Sequence, residues 1–236
     1  DDGTTRSSRN ADWSYKNSDN PIRYHSEWIM RSREADYDYG SFIEFVRAVG
    51  TNSFDEATIT RMADLDMLCL NAAVRGYDAD WDTITTSRGK NAYFFRPKEG
   101  KGWMLLHWDG DRVFEGGHEN DAIIGGLPGI QNFYGKPYTK RRVNYYLQKL
   151  LDEHTKNSAR TLAWMQAEEA AVAGSGVVMT TSYYTNWFNT REAAARNYIT
   201  AGVSGTAFAI STSSAATPND TPQPQRHRAV DDLRHP

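Results

Sequence analysis

A single cysteine, Cys69, in 236 residues leaves no internal disulfide and no Cys-based zinc site. Long apolar runs are missing too, and nothing approaches the ~20 consecutive apolar residues of a membrane helix. Neither sign of charge dominates. Lys and Arg number 27 against 30 Asp and Glu, a formal net charge of −3, so no basic field marks a nucleic-acid partner. The first residue is not Met, and no basic-then-apolar leader opens the chain. Over residues 1–40 Phe, Leu and Val are absent, Lys16 is the sole lysine, and the only glycines are Gly3 and Gly40. What is present, 39% hydrophobic and 24% charged residues, is the composition of an ordinary globular protein.

Residues 1–40 carry few apolar anchors (Trp13, Ile22, Trp28, Ile29, Met30) and predict extended or loop structure packed onto something else, with one short helix near 25–34. From Ser41 the spacing of Phe42, Phe45, Val46 and Val49 predicts a helix stopped by Gly50. A second helical run follows Ser53. A third, Leu65 to Val74, is apolar on nearly every side, with Asp64 or Asp66 as its cap, Gly76 as its stop and Cys69 as inert packing. Asn91–Arg96 and Trp103–Trp108 predict a hairpin, and residues 116–137 a glycine-rich loop. Helices are expected from Thr139, after Ser158, and over Trp187–Thr200 with Gly202 as cap. Beyond Gly205 almost nothing is available to bury, which predicts a linker, a disordered tail or the start of another module. The class is α+β, mainly helical, with one central hairpin.

Residues 78–111 are the informative stretch: an acidic loop, Asn91, a strand, a turn, a strand, then Asp109. Phosphoryl transfer from ATP needs a carboxylate to orient the attacking hydroxyl and hard oxygen ligands to hold Mg²⁺ against the phosphates. In kinases the base lies in a loop after a buried helix. An Asn follows it, and a metal-binding Asp closes the next strand. An antiparallel hairpin sets the start of its first strand beside the end of its second. Asp82, nine residues before Asn91, sits where that base belongs.

These residues also carry a family resemblance. Asp80-Trp81-Asp82-Thr83, then Arg88-Gly89-Lys90-Asn91-Ala92-Tyr93-Phe94-Phe95, then Gly102-Trp103 through Trp108-Asp109-Gly110-Asp111 resemble the CotH kinase family of atypical protein kinases. The likeness is dense over 80–112 and extends over 41–200, including Met62–Leu68 and the Trp187–Ile199 stretch with Arg191 and Arg196. Ala79-Asp80 stands where the family shows Gly-Asn. The resemblance implies Asp82 as catalytic aspartate, Asn91 and Asp109 as Mg²⁺ (or Mn²⁺) ligands, and Asp111 as a further metal contact. It implies a kinase-like C-lobe over 41–204, with 1–40 a remnant of the inter-lobe region. It also implies ATP as cofactor, Ser or Thr of a coat, surface or secreted protein as acceptor, and an extracytoplasmic setting.

Other readings stand beside it. The chain lacks the Gly-rich loop, strand Lys and helix Glu of a kinase N-lobe, so it is expected to be a fragment with little or no turnover alone. The alternative is a catalytically dead structural or adhesion module; a hydrolase using Asp82 and Asp109 as a carboxylate pair is disfavoured by the Asn at a strand start, which a glycosidase does not need. Asp78 and Asp80 are expected to be solvated. They do not start an EF-hand, because the sixth and twelfth positions from Asp78 are Thr83 and Gly89. Arg88 and Lys90 either neutralise phosphate or belong to a solvated turn. His107 is expected to pack and His118 to lie exposed in its loop.

Overall fold

Alternation of polar and apolar residues becomes structure most directly in α2, Gly40–Gly50, where Phe42, Ile43, Phe45, Val46 and Val49 form the buried face. The computed structural model describes residues 11–203 apart from 33, 34, 36, 52, 53, 87, 100 and 101. Among them are seven helices and one two-stranded antiparallel sheet, so the protein is α+β and mainly helical. Ser53 and the chain from Gly205 lie outside the described residues.

Two short helices continue from α2. α3, Glu56–Met62, starts at Asp55, whose carboxylate accepts from Thr58 N. α4, Leu65–Tyr77, starts at Asp64, whose carboxylate accepts from Met67 N at 3.1 Å. Asp66 is not the cap; it points outward and pairs with Arg142 Nε at 3.4 Å. α4 is also not buried all round, because Met67 and Leu70 remain 37% and 36% exposed. Nor does Gly76 stop it. A Cβ on Gly76 would come within 2.5 Å of the Ile123 carbonyl oxygen, so the glycine serves a close approach inside the last turn.

β1, Ala92–Phe95, and β2, Met104–His107, pair as expected, with Ala92 opposite His107 and Phe95 opposite Met104. The start of β2 is fixed to the α3–α4 junction: Trp103 N donates to Met62 O, and Asp64 N donates to Trp103 O. From there α4 and β2 run side by side. The eleven steps from Asp64 to Arg75 rise about 16 Å as helix. The five steps from Trp103 to Trp108 rise about 17 Å as strand. The match delivers Arg75 to the end of β2.

α5, Pro128–Tyr134, occupies part of what the sequence predicts as loop. Its start is signalled by Pro128 at the first turn, and Asp12, more than a hundred residues away, accepts from Gly129 N and Ile130 N. α6, Pro137–Val172, is one helix of 36 residues rather than two. Ser158 does not break it, since its hydroxyl donates to Thr155 O within the same turn. α7, Thr181–Val203, starts six residues before Trp187 and passes through Gly202.

The segment before α2 belongs to this core. Trp13 is fully buried, with its ring 5.0 Å from Phe133 and 5.3 Å from Phe45 and Phe94. The predicted helix at 25–34 is instead α1, Ile22–His25, started at Pro21. It ends early because Trp28 is drawn inward, its Nε1 donating to Asp12 O and its carbonyl accepting from Tyr39 Oη.

Candidate functional site

The last turn of α4 carries a guanidinium into the protein. Arg75 is 1% exposed. Its Nη2 donates to Asn91 O at 2.6 Å and to Trp108 O at 3.0 Å, joining the open ends of both strands. Nε and Nη2 both donate to Thr83 Oγ1, at 3.0 and 2.8 Å. Nη1 lies 3.0 Å from Asp80 Oδ2 and 3.2 Å from His107 Nδ1. Desolvation pulls the Arg75 pKa down, and the charges of Asp80, Asp78, Asp109 and Asp82 oppose that pull. Desolvation pushes the Asp80 pKa up, and Arg75 is the main group opposing it.

Asp80 is therefore no solvated turn residue, being 0% exposed. Burial of a carboxylate requires a partner, and Arg75 supplies it. Asp80 Oδ1 also accepts from Asp82 N at 3.3 Å, which fixes the next carboxylate along. Asp82 is 7% exposed. Its Oδ2 accepts from Asn91 Nδ2 at 3.1 Å and pairs with Lys90 Nζ at 2.8 Å. Its Oδ1 is buried and has no hydrogen-bond partner among the described residues. The structure thus brings Asp82, Lys90 and Asn91 together.

Asp109 and Asp111 stand further out. Both are exposed; the charge of Asp109 reaches Arg75 and that of Asp111 reaches Asp80. Asn91 and Asp109 share an unusual backbone, with φ of 56° and 55° at the two ends of the hairpin. Asn and Asp tolerate this left-handed region better than other non-glycine residues. No three His, Cys, Asp or Glu side chains among the described residues converge on a metal position. Mg²⁺ does not require such a cage; one or two carboxylates completed by waters and substrate phosphates are its usual protein ligands. The Asn91 amide oxygen and the exposed Asp109 and Asp111 carboxylates are oxygen donors of that kind.

Arg88 is engaged elsewhere. Its guanidinium lies 5.3 Å from the centre of the Trp81 ring, with Arg112 at 4.9 Å and the His118 ring stacked at 5.2 Å. His118 is partly buried rather than exposed, and its Nδ1 is 2.7 Å from Asp121 Oδ2. His107 is exposed rather than packed; one edge of its ring lies on Arg75 Nη1, and desolvation followed by the Arg75 charge holds its pKa down.

Asp78 is partly buried rather than solvated. Burial and the Asp80 charge push its pKa up to about 7, against the pull of Arg75 and Arg191. Arg191 is a second fully buried arginine. It donates to the carbonyls of Gly76, Tyr77, Glu119 and Asp121, tying the end of α4 to the loop before α5. Its burial lowers its pKa to about 10.

Arg75 and Asp80 are the residues that motif reasoning misses. A signal exists for Arg75, since the lone charged residue in the mostly apolar run 68–77 must either face solvent or find buried acceptors. No family model matches this chain, and no similarity to a curated protein or a solved structure was found.

Proposed function

We propose that the chain carries the catalytic loop and metal-holding residues of a CotH-like phosphotransferase, acting from ATP on Ser or Thr of a protein. The observation that carries this proposal is the unequal treatment of the two Asp82 oxygens. Lys90 and Asn91 hold Oδ2, while Oδ1 is buried with no hydrogen-bond partner among the described residues. Leaving a buried acceptor unpaired costs about 1–3 kcal/mol, which a donor from a ligand would recover. An acceptor hydroxyl is such a donor, and a fixed carboxylate oxygen is what its orientation requires.

The roles follow from that geometry. Asp82 accepts the hydroxyl proton at Oδ1. Lys90 offsets the Asp82 charge and lies at the edge of the site for the transferred phosphate, with half of its side chain exposed. Asn91, through its remaining amide oxygen, and Asp109 would hold Mg²⁺ or Mn²⁺ against the ATP phosphates, with Asp111 as a further metal contact. Mg²⁺ or Mn²⁺ supplies charge neutralisation on the phosphate oxygens when bound. The order of Asp82, Asn91 and Asp109 and the motif likeness around them support the same reading. That likeness extends it to a coat, surface or secreted protein as acceptor. No described helix is long and apolar enough to cross a membrane.

Separating binding from transfer tests the proposal in the intact protein. Asp82→Ala is expected to lower γ-phosphate transfer to Ser or Thr by about 10²–10⁴-fold while leaving Mg²⁺–ATP affinity within about twofold. Asp109→Ala is expected to lose both. Transfer at the wild-type rate by Asp109→Ala would contradict the assignment.

A further inference from the structure

We infer that Arg75 is the positioning residue of this site, a single buried guanidinium that sets the Asp82 loop, Asn91 and Asp109 relative to one another. The inference rests on the phosphotransfer proposal for the chemistry being positioned. The positioning itself stands on contacts. Three separate stretches of chain meet at this one side chain. The loop is held through Thr83 Oγ1 and through Asp80, whose other oxygen accepts from the Asp82 backbone. The first strand is held through the carbonyl of Asn91, and the second through the carbonyl of Trp108, the residue before Asp109.

Both of those carbonyls adjoin left-handed backbone. Asn91 itself is at φ 56°, and Asp109 at φ 55° follows Trp108. Such conformations persist only where the surroundings over-determine them. The ladder between the strands ends at Ala92 and His107, one residue short on each strand. Arg75 Nη2 therefore supplies donors where the sheet supplies none. A planar fork of five N–H donors can reach acceptors on three sides, whereas the three donors of a lysine radiate from one nitrogen. The requirement is accordingly for arginine rather than for positive charge.

Arg191 provides an internal control. It is equally buried and also donates to carbonyls, but those belong to Gly76, Tyr77, Glu119 and Asp121 and not to the site. Arg75→Lys and Arg191→Lys are each expected to lower the melting temperature, so stability alone does not distinguish them. The Asn91 side-chain amide does. In the chain labelled with ¹⁵N-asparagine, its resonance is identified by its loss in Asn91→Ala. Arg75→Lys is expected to shift or broaden that resonance and Arg191→Lys to leave it in place. Arg75→Lys is further expected to weaken Mn²⁺–ATP binding about 10- to 100-fold, as loss of a supporting contact behind metal ligands does, with Arg191→Lys within about twofold of wild type.

An unmoved Asn91 amide in Arg75→Lys, or an equal disturbance in Arg191→Lys, would overturn the inference. Should Arg75→Lys fail to fold, Thr83→Val removes one acceptor of Arg75 at nearly constant volume and is read in the same way. A wild-type chain with no affinity for Mn²⁺–ATP would remove the phosphotransfer proposal, and the amide comparison would still decide the role of Arg75.

Discussion

Asp78 registers burial first, and then the neighbouring Asp80 charge, at the end of α4. A carboxyl whose pKa rises from 3.8 to about 7 on folding binds its proton more tightly in the folded state. Stability is then greatest below the unfolded value and falls as pH rises through the folded one. Between pH 4 and pH 8 the wild type is expected to lose on the order of 2–4 kcal/mol relative to Asp78→Asn, which has no proton to release. Urea unfolding of the two proteins at several pH values measures the difference. Parallel pH dependences would show that Asp78 does not carry the effect. At this scale the sequence makes Asp82 and Asn91 legible, because a loop carboxylate, an Asn and a strand-closing Asp in order describe a chemistry. It does not separate Asp80 from Asp82. Both are aspartates two residues apart in a polar loop, and only the side chain of Arg75 turns one into a buried ion pair.

Among elements, the pairing of α4 with β2 places the site. Their lengths match, their starts are joined through Trp103, and their ends are joined through Arg75. Gly102 sits at the first of these joints with φ 88°, and a Cβ there would lie 2.3 Å from Met62 O. Both the backbone conformation and the contact exclude a side chain. Gly102→Ala is expected to destabilise the protein by roughly 2 kcal/mol or more through displacement of the start of β2, measured by urea unfolding. A loss under about 0.5 kcal/mol would mean that the joint is not held as described. The hairpin and α2 were readable from periodicity. The continuity of α6 was not, because Ser158 satisfies its hydroxyl inside the helix and leaves no breaker in the sequence. α5 was missed because a seven-residue helix gives too short a period, and its N–H groups are capped by Asp12 from the far end of the chain.

Across the whole molecule, the polar opening of the chain contributes the aromatic that several elements share. Trp13 touches Phe45 of α2, Phe94 of β1, and Phe133 and Tyr134 of α5. Ala11 N donates to Gly89 O, so the same segment backs the loop that carries Lys90 and Asn91. Trp13, in a stretch without Phe, Leu or Val, shows that something is buried but not where, since the partner surfaces are far away in sequence. Long-range partners are likewise why Arg191 is noticed in the sequence but not placed, and why Arg75 is missed. α4, β2 and the Asp82 loop meet at Arg75, and the proposed function assigns Asn91 and Asp109 to the metal-bound nucleotide and Asp82 to the acceptor hydroxyl. The most direct test of that claim is a thermal-shift titration of this chain with ATP, with and without Mg²⁺ or Mn²⁺, beside Asp109→Ala. A ligand that binds only the folded state raises the melting temperature. The expected result is a metal-dependent rise in the wild type that Asp109→Ala abolishes. No rise at saturating Mn²⁺–ATP, or the same rise in Asp109→Ala, would contradict it.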